Sequence, residues 1–456
     1  MPADRSRLPD VGADPPFTFP TIERHTLSNG LAVRTVEHPS VPVVTLALQI
    51  DGGSGADPSG QEGLAAVVAD MVDEGTGGMS AIAVSEALAR IGADYDVDVG
   101  ADATVFSLTT LTRFAGWGAS LLSDMVVRPS LLEEDFLRIR QLRLDRLKQL
   151  KDSAPATAER AFLRLVYGSH PYGHLSIGAD PTLRVLSIDD VRAFHVRRFH
   201  PARATLVVVG ALSHEGLLQV ARRFDQWDGS GDGATAAPAA EIPPPAYPSA
   251  RLAIVPREGA AQSELRVGHL AAPRTTPDYP SLLVMNAVLG GQFVSRVNLK
   301  LREEKAFTYG ARTGFDWRRG LSPFVLQASV HTAATAESIA DSLAEITDIR
   351  GSRPPTDAEL ALAKASLTRG YPRNFETTQQ VARAVAQLAL YRLPDTYFAE
   401  FVPTVNAIGG DDVTRVASLY LDPAKLTTLI VGDQSAIADS LGALALGEPR
   451  VLPHEV

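Results

Sequence analysis

Two residues seven positions apart, Arg302 and Tyr309, carry side chains suited to peptide chemistry. They lie in the stretch 289–310, which reads LGGQFVSRVNLKLREEKAFTYG. Its Gly-Gly pair ends one apolar helical pattern, and a second pattern follows that places Arg302 near its end and Tyr309 at the start of a strand. A guanidinium and a phenol held there can hydrogen-bond a peptide carbonyl and stabilise the oxyanion formed from it.

The same two residues also have a purely structural interpretation. Arg302 precedes Glu303 and Glu304, whose charges it would balance at the end of a helix, and Tyr309 would be an ordinary aromatic residue of a strand. Charged helix ends are common, so spacing alone favours this interpretation. The rest of the chain has to decide between the two.

Other patterns that could do chemistry are weak. His170 and His174 have the i, i+4 spacing of a zinc pair, but the proline and glycine between them predict a loop, and a zinc site needs three convergent ligands. The chain has no cysteine, which excludes disulfides and thiolate metal sites. The glycine-rich segment 52–60 matches neither a dinucleotide fingerprint nor a P-loop.

Composition limits the partners of the chain. Its 456 residues carry a net charge of −10, so a broad nucleic-acid surface is not expected. It has no run of 18 apolar residues, so no membrane-spanning segment is predicted, and a cytoplasmic location is the default expectation. Residues 1–20, rich in Pro, Asp and Arg, predict a disordered tail.

Hydrophobic periodicity predicts a mixture of strands and helices that occurs twice. Across 189–210 and 411–432, eight of 22 positions are identical without a gap at a spacing of 222 residues, where chance gives about one or two. The segment 228–248 separates the two copies and is dominated by Gly, Ala and Pro, as in a linker. We therefore predict an α+β fold with two homologous lobes, 21–227 and 249–456, each a mostly antiparallel sheet covered by helices.

The duplicated chain contains the phrases LGG…SR…LREEK…Y within 289–310, LSNGLAV at 27–33, EGT at 74–76 and IGADYDVDVGADATVF at 91–106. These phrases carry a resemblance to the insulinase/pitrilysin-type zinc metallopeptidases. The resemblance extends from about residue 25 to residue 432. It implies two sandwich lobes and endoproteolysis of peptides in a closed chamber. It also implies that a linker between lobes would suit opening and closing of that chamber.

The resemblance fails at the metal site. The family holds zinc with His-x-x-Glu-His on the first helix of the N-terminal half, and the corresponding positions here are Ala66, Ala69 and Asp70. The third family ligand, a glutamate on a later helix, corresponds to a position near Arg146. We therefore expect no metal and no cofactor in this chain.

The resemblance is intact at Arg302 and Tyr309. In the family, an Arg and a Tyr seven apart in the C-terminal half serve the zinc site that faces them, which favours the catalytic interpretation of this pair. The resemblance implies a complementing subunit of a heterodimer, whose homologous partner carries the zinc motif and Zn²⁺, with a peptide as substrate. The alternative is a catalytically inactive scaffold or peptide-binding protein of the same fold.

Overall fold

The computed structural model describes residues 17–230, 241, 243 and 251–453. The predicted tail up to residue 16 and most of the predicted linker lie outside these residues. Of the tail, 17–20 are described, and Phe19 is buried against the rings of Phe375 and Phe398. None of the helices in the described ranges is both long and apolar enough to cross a membrane.

The first lobe is built on a six-stranded sheet in the order β1-β2-β8-β3-β7-β6, with a separate short hairpin, β4-β5. Its strands are β1 (Ile22–Thr26), β2 (Ala32–Glu37), β3 (Val43–Asp51), β4 (Gly75–Thr76), β5 (Met79–Ser80), β6 (Asp94–Val99), β7 (Ala103–Leu111) and β8 (Ala204–Gly210). Its helices are α1 (Leu64–Met71), α2 (Ala81–Arg90), α3 (Ala115–Val127), α4 (Glu133–Lys151), α5 (Ala154–Tyr167), α6 (Asp180–Val185), α7 (Ile188–Arg198) and α8 (His214–Ala221).

The second lobe repeats this plan with a six-stranded sheet in the order β11-β12-β10-β13-β9-β14. Its strands are β9 (Leu252–Pro256), β10 (Gln262–Leu270), β11 (Thr308–Phe315), β12 (Pro323–His331), β13 (Thr427–Gly432) and β14 (Arg450–Val451). Its helices are α9 (Tyr279–Leu289), α10 (Arg296–Asn298), α11 (Thr335–Asp348), α12 (Asp357–Thr368), α13 (Thr378–Leu390), α14 (Tyr397–Ala407), α15 (Gly410–Tyr420) and α16 (Gln434–Leu441). The segment Leu299–Glu304 continues α10 as a π-helix.

Strand pairing confirms the predicted duplication. In the first sheet β3 pairs antiparallel with β7 and β8, and β8 pairs in parallel with β2. In the second sheet β10 pairs antiparallel with β12 and β13, and β13 pairs in parallel with β9. The two copies of the sequence therefore fold into mostly antiparallel sheets of matching topology, each flanked by helices.

The lobes exchange one helix each. The apolar face of α5 from the first lobe, including Phe162 and Val166, packs on Val255 and Val431 of the second sheet. In return, α13 from the second lobe packs on β3 and β8, where Thr378 and Thr45 share a hydrogen bond of 2.7 Å. Each sheet therefore completes its core with a helix of the other lobe, so the two lobes pack closely against each other. The predicted role of the linker in opening and closing falls largely on residues outside those that the structure describes and stays a prediction.

Candidate functional site

Gly290 and Gly291, which precede the helix that carries Arg302, allow the end of α9 to approach β11 closely. The backbone N–H of Thr313 in β11 donates to the Gly290 carbonyl at 3.0 Å. A Cβ on Gly290 would lie 2.7 Å from the Thr313 nitrogen, and one on Gly291 would lie 2.9 Å from the carbonyl oxygen of Asn286. Only glycine fits so close an approach, which explains the Gly-Gly pair.

Arg296 anchors the start of the helix that carries Arg302. Its side chain is buried, and its Nε and Nη2 donate to the two carboxylate oxygens of Glu359 at 2.6 and 2.8 Å. It also donates to the carbonyls of Arg353 and Pro354. A bidentate pair reinforced by carbonyls fixes the direction of α10.

Glu359→Gln tests this anchor. The hydrogen bonds from Arg296 lower the pKa of Glu359 to about 2. A lowered pKa stabilises the fold above the unfolded-state pKa, and this contribution is lost as the pH falls from about 4.5 towards 2. We expect the variant to lose about 2 kcal/mol at pH 7, because a buried guanidinium loses its counter-charge while glutamine can keep the capping contacts to Thr356. Urea unfolding at pH 7 and pH 3 measures it, and an equal loss at both values would contradict the assignment.

Arg302 lies in the π-helical segment between two aromatic rings. Its guanidinium carbon is 4.2 Å from the centroid of the Phe293 ring and 5.5 Å from that of Tyr309. Its nearest carboxylate contact is with Glu303, at 3.5 Å, whereas Glu304 pairs with Lys300 at 2.6 Å. Cation–π contacts therefore hold the guanidinium beside Tyr309, and the predicted charge balance accounts for only part of its surroundings.

A β-bulge projects Tyr309 out of the sheet. The β11–β12 register shifts between Thr308 and Ala311, and the Thr308 hydroxyl bonds to the Ser329 carbonyl at 2.6 Å. Asn298 holds the other side, because its amide donates to the Phe293 carbonyl and accepts from the Ala311 N–H at 3.0 Å. Bulges commonly re-aim a side chain, and Tyr309 is 91% exposed, with no hydrogen bond from its hydroxyl to any described residue.

A cavity of about 880 Å³ opens beside Tyr309. Its walls come from β10, β11, β12 and, from the other lobe, the start of α5. Two of its lining residues, Glu264 and Arg266, form a buried ion pair. The Ser329 hydroxyl donates to Glu264, and Arg266 also donates to the Pro155 carbonyl at 3.3 Å. A polar cavity of this size beside the Tyr309 phenol can hold an extended peptide segment.

The degenerate metal positions lie on α1 in the first lobe. Ala66 and Ala69 are buried. Asp70 accepts a hydrogen bond of 2.7 Å from Nε of Arg143, and burial raises the pKa of its carboxyl although Arg143 opposes this. Two methyl groups and an ion pair cannot hold zinc, so the residues present do not fit the metal. No group of three His, Asp or Glu residues placed to bind a metal occurs within 17–230 or 251–453.

The position predicted for the third ligand and the two histidines of the predicted loop make contacts with other groups. Arg146, placed by sequence at the third ligand, points to Gln149, and Arg143, one turn earlier, is the residue that faces α1. His174 lies 3.0 Å from Asp57, while Nδ1 of His170 accepts from the backbone of Tyr172. The two histidines therefore serve separate loop contacts.

The carboxyl group of Asp73, near Asp70 on α1, is expected to make the stability of the fold depend on pH. Burial raises its pKa to about 6, and the neighbouring carboxylates of Glu74 and Asp70 add to the shift. A raised carboxyl pKa means that the folded state binds more protons, so stability falls as the pH rises from about 4 to 6. We expect Asp73→Asn to stabilise the fold at pH 7.5 by about 1–2 kcal/mol, after allowance for partial solvation, and to have little effect at pH 4. Thermal unfolding against pH measures this, with Asp189→Asn as a surface control.

The residues that support the Arg302 site are not evident from the sequence. Hydrophobic periodicity predicts a helix from Phe293 to Glu304, but the helix begins at Arg296, and Phe293 lies in the preceding turn with its ring against Arg302. Asn298 appeared as one polar position among apolar ones, although it ties the loop to β11. An aromatic residue two positions after a Gly-Gly pair is the only sequence signal for Phe293, and nothing in the sequence marks Asn298.

Comparison with protein families and known structures gives consistent results. Residues 32–178 match the model for insulinase (peptidase family M16), and residues 186–367 match that for the peptidase M16 inactive domain. An uncharacterized zinc protease of Mycobacterium tuberculosis (strain H37Rv) is 25% identical over 366 residues, which cover 77% of this chain and 80% of that protein. The beta subunit of the mitochondrial-processing peptidase of Lentinula edodes is 23% identical over 421 residues, covering 89% and 88%.

Structural similarity extends over most of the chain. The crystal structure of a peptidase M16 inactive domain from Pseudomonas fluorescens superposes with a TM-score of 0.84 at 23% identity. The match covers 90% of this chain and 98% of that one. At this level of identity the similarity concerns the fold.

Proposed function

Because the chain belongs to the insulinase family, peptidase family M16, we propose that it is the subunit without zinc of a two-chain metallopeptidase. In this proposal, a homologous partner carries His-x-x-Glu-His and Zn²⁺, and this chain contributes Arg302 and Tyr309 to the partner's site. The observation that carries the proposal is the contrast between the two lobes. The first lobe has alanines at the metal positions, whereas the second keeps a stacked guanidinium and an exposed phenol beside a cavity.

The two side chains have distinct roles in the proposed reaction. The Arg302 guanidinium, held between two rings, donates to a backbone carbonyl of the bound peptide and fixes its register. The Tyr309 phenol donates to the oxygen of the scissile carbonyl as that oxygen becomes negative, which lowers the barrier by about 3 kcal/mol. When bound in the partner, zinc supplies an activated water molecule as the nucleophile.

Relatives support the subunit interpretation. One relative is named as the beta subunit of a processing peptidase, and one structural neighbour is described as an inactive domain of this peptidase family. The proposal includes a cytoplasmic heterodimer, a peptide substrate and no activity of the isolated chain.

Mixing the purified chain with a candidate zinc-motif homologue tests the proposal. Native mass spectrometry and cleavage of a quenched fluorescent peptide are measured on the same samples. We expect a one-to-one complex that cleaves the peptide, while this chain by itself does not. Zinc-dependent cleavage by the pure chain would contradict the proposal, and a complex whose activity is indifferent to both Arg302 and Tyr309 would support the inactive scaffold instead.

A further inference from the structure

A groove that we call the basic groove lies in the first lobe. It has a volume of about 790 Å³ and is bounded by the last turn of α4, the middle of α5 and parts of the segments 59–62 and 173–182. Among the described residues, none that lines this groove also lines the cavity beside Tyr309. The two are therefore separate places on the chain.

The basic side chains of this groove come from two helices and are Lys148, Lys151, Arg160 and Arg164. Lys148 pairs at 2.9 Å with the half-exposed Asp145, whereas Lys151 forms no ion pair or hydrogen bond with the described residues. His174 also lines the groove, and its Nε2 lies 3.0 Å from the buried carboxylate of Asp57. Four cations around one cavity create a positive potential inside it.

Two carboxylates, Glu62 and Asp180, are found among the described lining residues, and they do not neutralise this charge. Asp180 is bound by Arg184, whose Nε and Nη2 donate to its two oxygens at 2.7 and 2.9 Å. Glu62 uses Oε1 to accept the backbone N–H of Gly60 at 3.1 Å. The groove is therefore positive in a chain whose net charge is −10, and it favours an anionic ligand.

The second oxygen of Glu62 is an independent sign that this ligand also carries a hydrogen-bond donor. Oε2 is buried, and it has no hydrogen-bond partner in the part of the chain that the structure describes. Buried polar atoms nearly always have such a partner, because an unsatisfied one raises the free energy of the folded state. A peptide offers both carboxylates and N–H groups, whereas an oligophosphate offers no N–H.

We propose that the basic groove binds an acidic segment of a peptide, in which aspartate or glutamate residues follow one another. The carboxylates of the segment lie against the lysines and arginines of α4 and α5, and one of its backbone N–H groups donates to Oε2 of Glu62. This site belongs to the chain itself and requires neither the zinc-motif partner nor the Arg302–Tyr309 pair. Its failure and that of the proposed function are therefore distinguishable.

Fluorescence anisotropy with the full chain alone tests the proposal. The probes are labelled Gly-Asp-Glu-Asp-Glu-Gly and the same peptide with asparagine and glutamine in place of the acids. We expect only the acidic peptide to bind, and its binding to weaken as salt is raised. Because the chain as a whole is negative, general attraction cannot produce this result. Equal binding of both peptides would overturn the proposal. Absence of binding would also do so, and would leave the two lysines as cations that offset the dipole at the end of α4.

Inorganic tripolyphosphate separates a peptide site from a site for any small anion. It is added as a competitor to the complex of the chain with the acidic peptide. We expect it to displace the peptide only at concentrations well above the Kd of the peptide, because it cannot donate an N–H to Glu62. Displacement at or below that concentration would contradict the assignment to a peptide.

Charge variants locate the binding to the groove. Lys148→Gln/Lys151→Gln is expected to raise Kd for the acidic peptide about fivefold, as the loss of two partly exposed ion pairs implies. The matched control Lys364→Gln/Lys425→Gln removes the same charge from the second lobe and is expected to leave Kd unchanged. If both double variants bound the peptide as the wild type does, the peptide would lie elsewhere and the assignment would fail.

Glu62→Gln tests the second contact, since charge and hydrogen bonding predict opposite results. Removal of a negative charge would by itself strengthen the binding of an acidic peptide. The proposal predicts that Kd rises about threefold instead, because an NH₂ group in place of Oε2 cannot accept the peptide N–H. Asp180→Asn removes an equal charge from the groove and is expected not to raise Kd. An unchanged or lower Kd in Glu62→Gln would contradict the proposed contact.

Discussion

Tyr309→Phe is expected to lower kcat of the two-chain peptidase about 100-fold with little change in KM. The phenol hydroxyl makes no contact that holds the ground-state structure, and the residue is 91% exposed, so its removal acts only where charge develops on the scissile oxygen. Loss of one oxyanion donor costs about 10²–10³ in kcat. Peptide cleavage by the reconstituted complex under steady-state conditions measures the effect.

Arg302→Ala separates binding from chemistry in the same complex. Because Arg302 is assigned to the peptide backbone, the variant is expected to raise KM as well as lower kcat, with a fall in kcat/KM of about 10²-fold. Tyr420→Phe and Arg222→Ala remove the same groups at other places of the chain and serve as controls. Turnover unchanged in both site variants, with the complex intact, would favour the scaffold function.

Arg318→Ala is expected to have the largest effect on stability, about 4 kcal/mol. Its side chain is only 5% exposed and lies 5.0 Å from the ring centroids of both Tyr167 and Tyr172. It also donates to the Tyr172 carbonyl at 2.9 Å, so truncation removes two buried cation–π contacts, leaves that carbonyl unsatisfied and opens a cavity. Because Arg318 belongs to the second lobe and both tyrosines to the first, the loss would weaken the contact between lobes.

Denaturant unfolding measures this loss, and the chain offers a matched control. Arg113 contacts the Phe114 ring at 4.8 Å, but on the surface, so Arg113→Ala is expected to change the free energy of unfolding by no more than about 0.5 kcal/mol. If the two variants lost similar free energies of unfolding, the buried contacts of Arg318 would add no more to the association of the lobes than an exposed contact does.

Local patterns in the sequence predicted most of the elements and the duplication. Unbroken hydrophobic periodicity predicts a helix at 279–289 and strands at 43–51, 309–315 and 323–332, and the structure has each of them to within one residue. The exchange of α5 and α13 between lobes could not be predicted. Each helix has an apolar face, but that face does not specify which of two similar sheets it covers.

The candidate site was only partly predictable for similar reasons. The loss of zinc ligands at Ala66, Ala69 and Asp70 follows from residue types, since methyl groups cannot coordinate a metal. Arg143 rather than Arg146 faces α1 because of the way α4 is rotated about its axis. Counting residues from a motif cannot place a position to better than one helical turn, so the sequence does not distinguish the two. The bulge that exposes Tyr309 arises from hydrogen bonds of Thr308, which no local pattern reveals.

Photocrosslinking from position 309 tests the central claim most directly. Tyr309 is replaced by p-benzoylphenylalanine, and the chain is irradiated with a labelled peptide in the presence and absence of the zinc-motif partner, whose catalytic glutamate is changed to glutamine to prevent cleavage. We expect crosslinks to the peptide and to the partner's zinc-motif helix, formed only in the complex. Ile82, 73% exposed on α2, carries the same group as a control and is expected to give neither crosslink. Crosslinks from position 309 that stay within this chain would contradict the proposed role of Tyr309, provided that the complex with the unchanged glutamate cleaves the peptide.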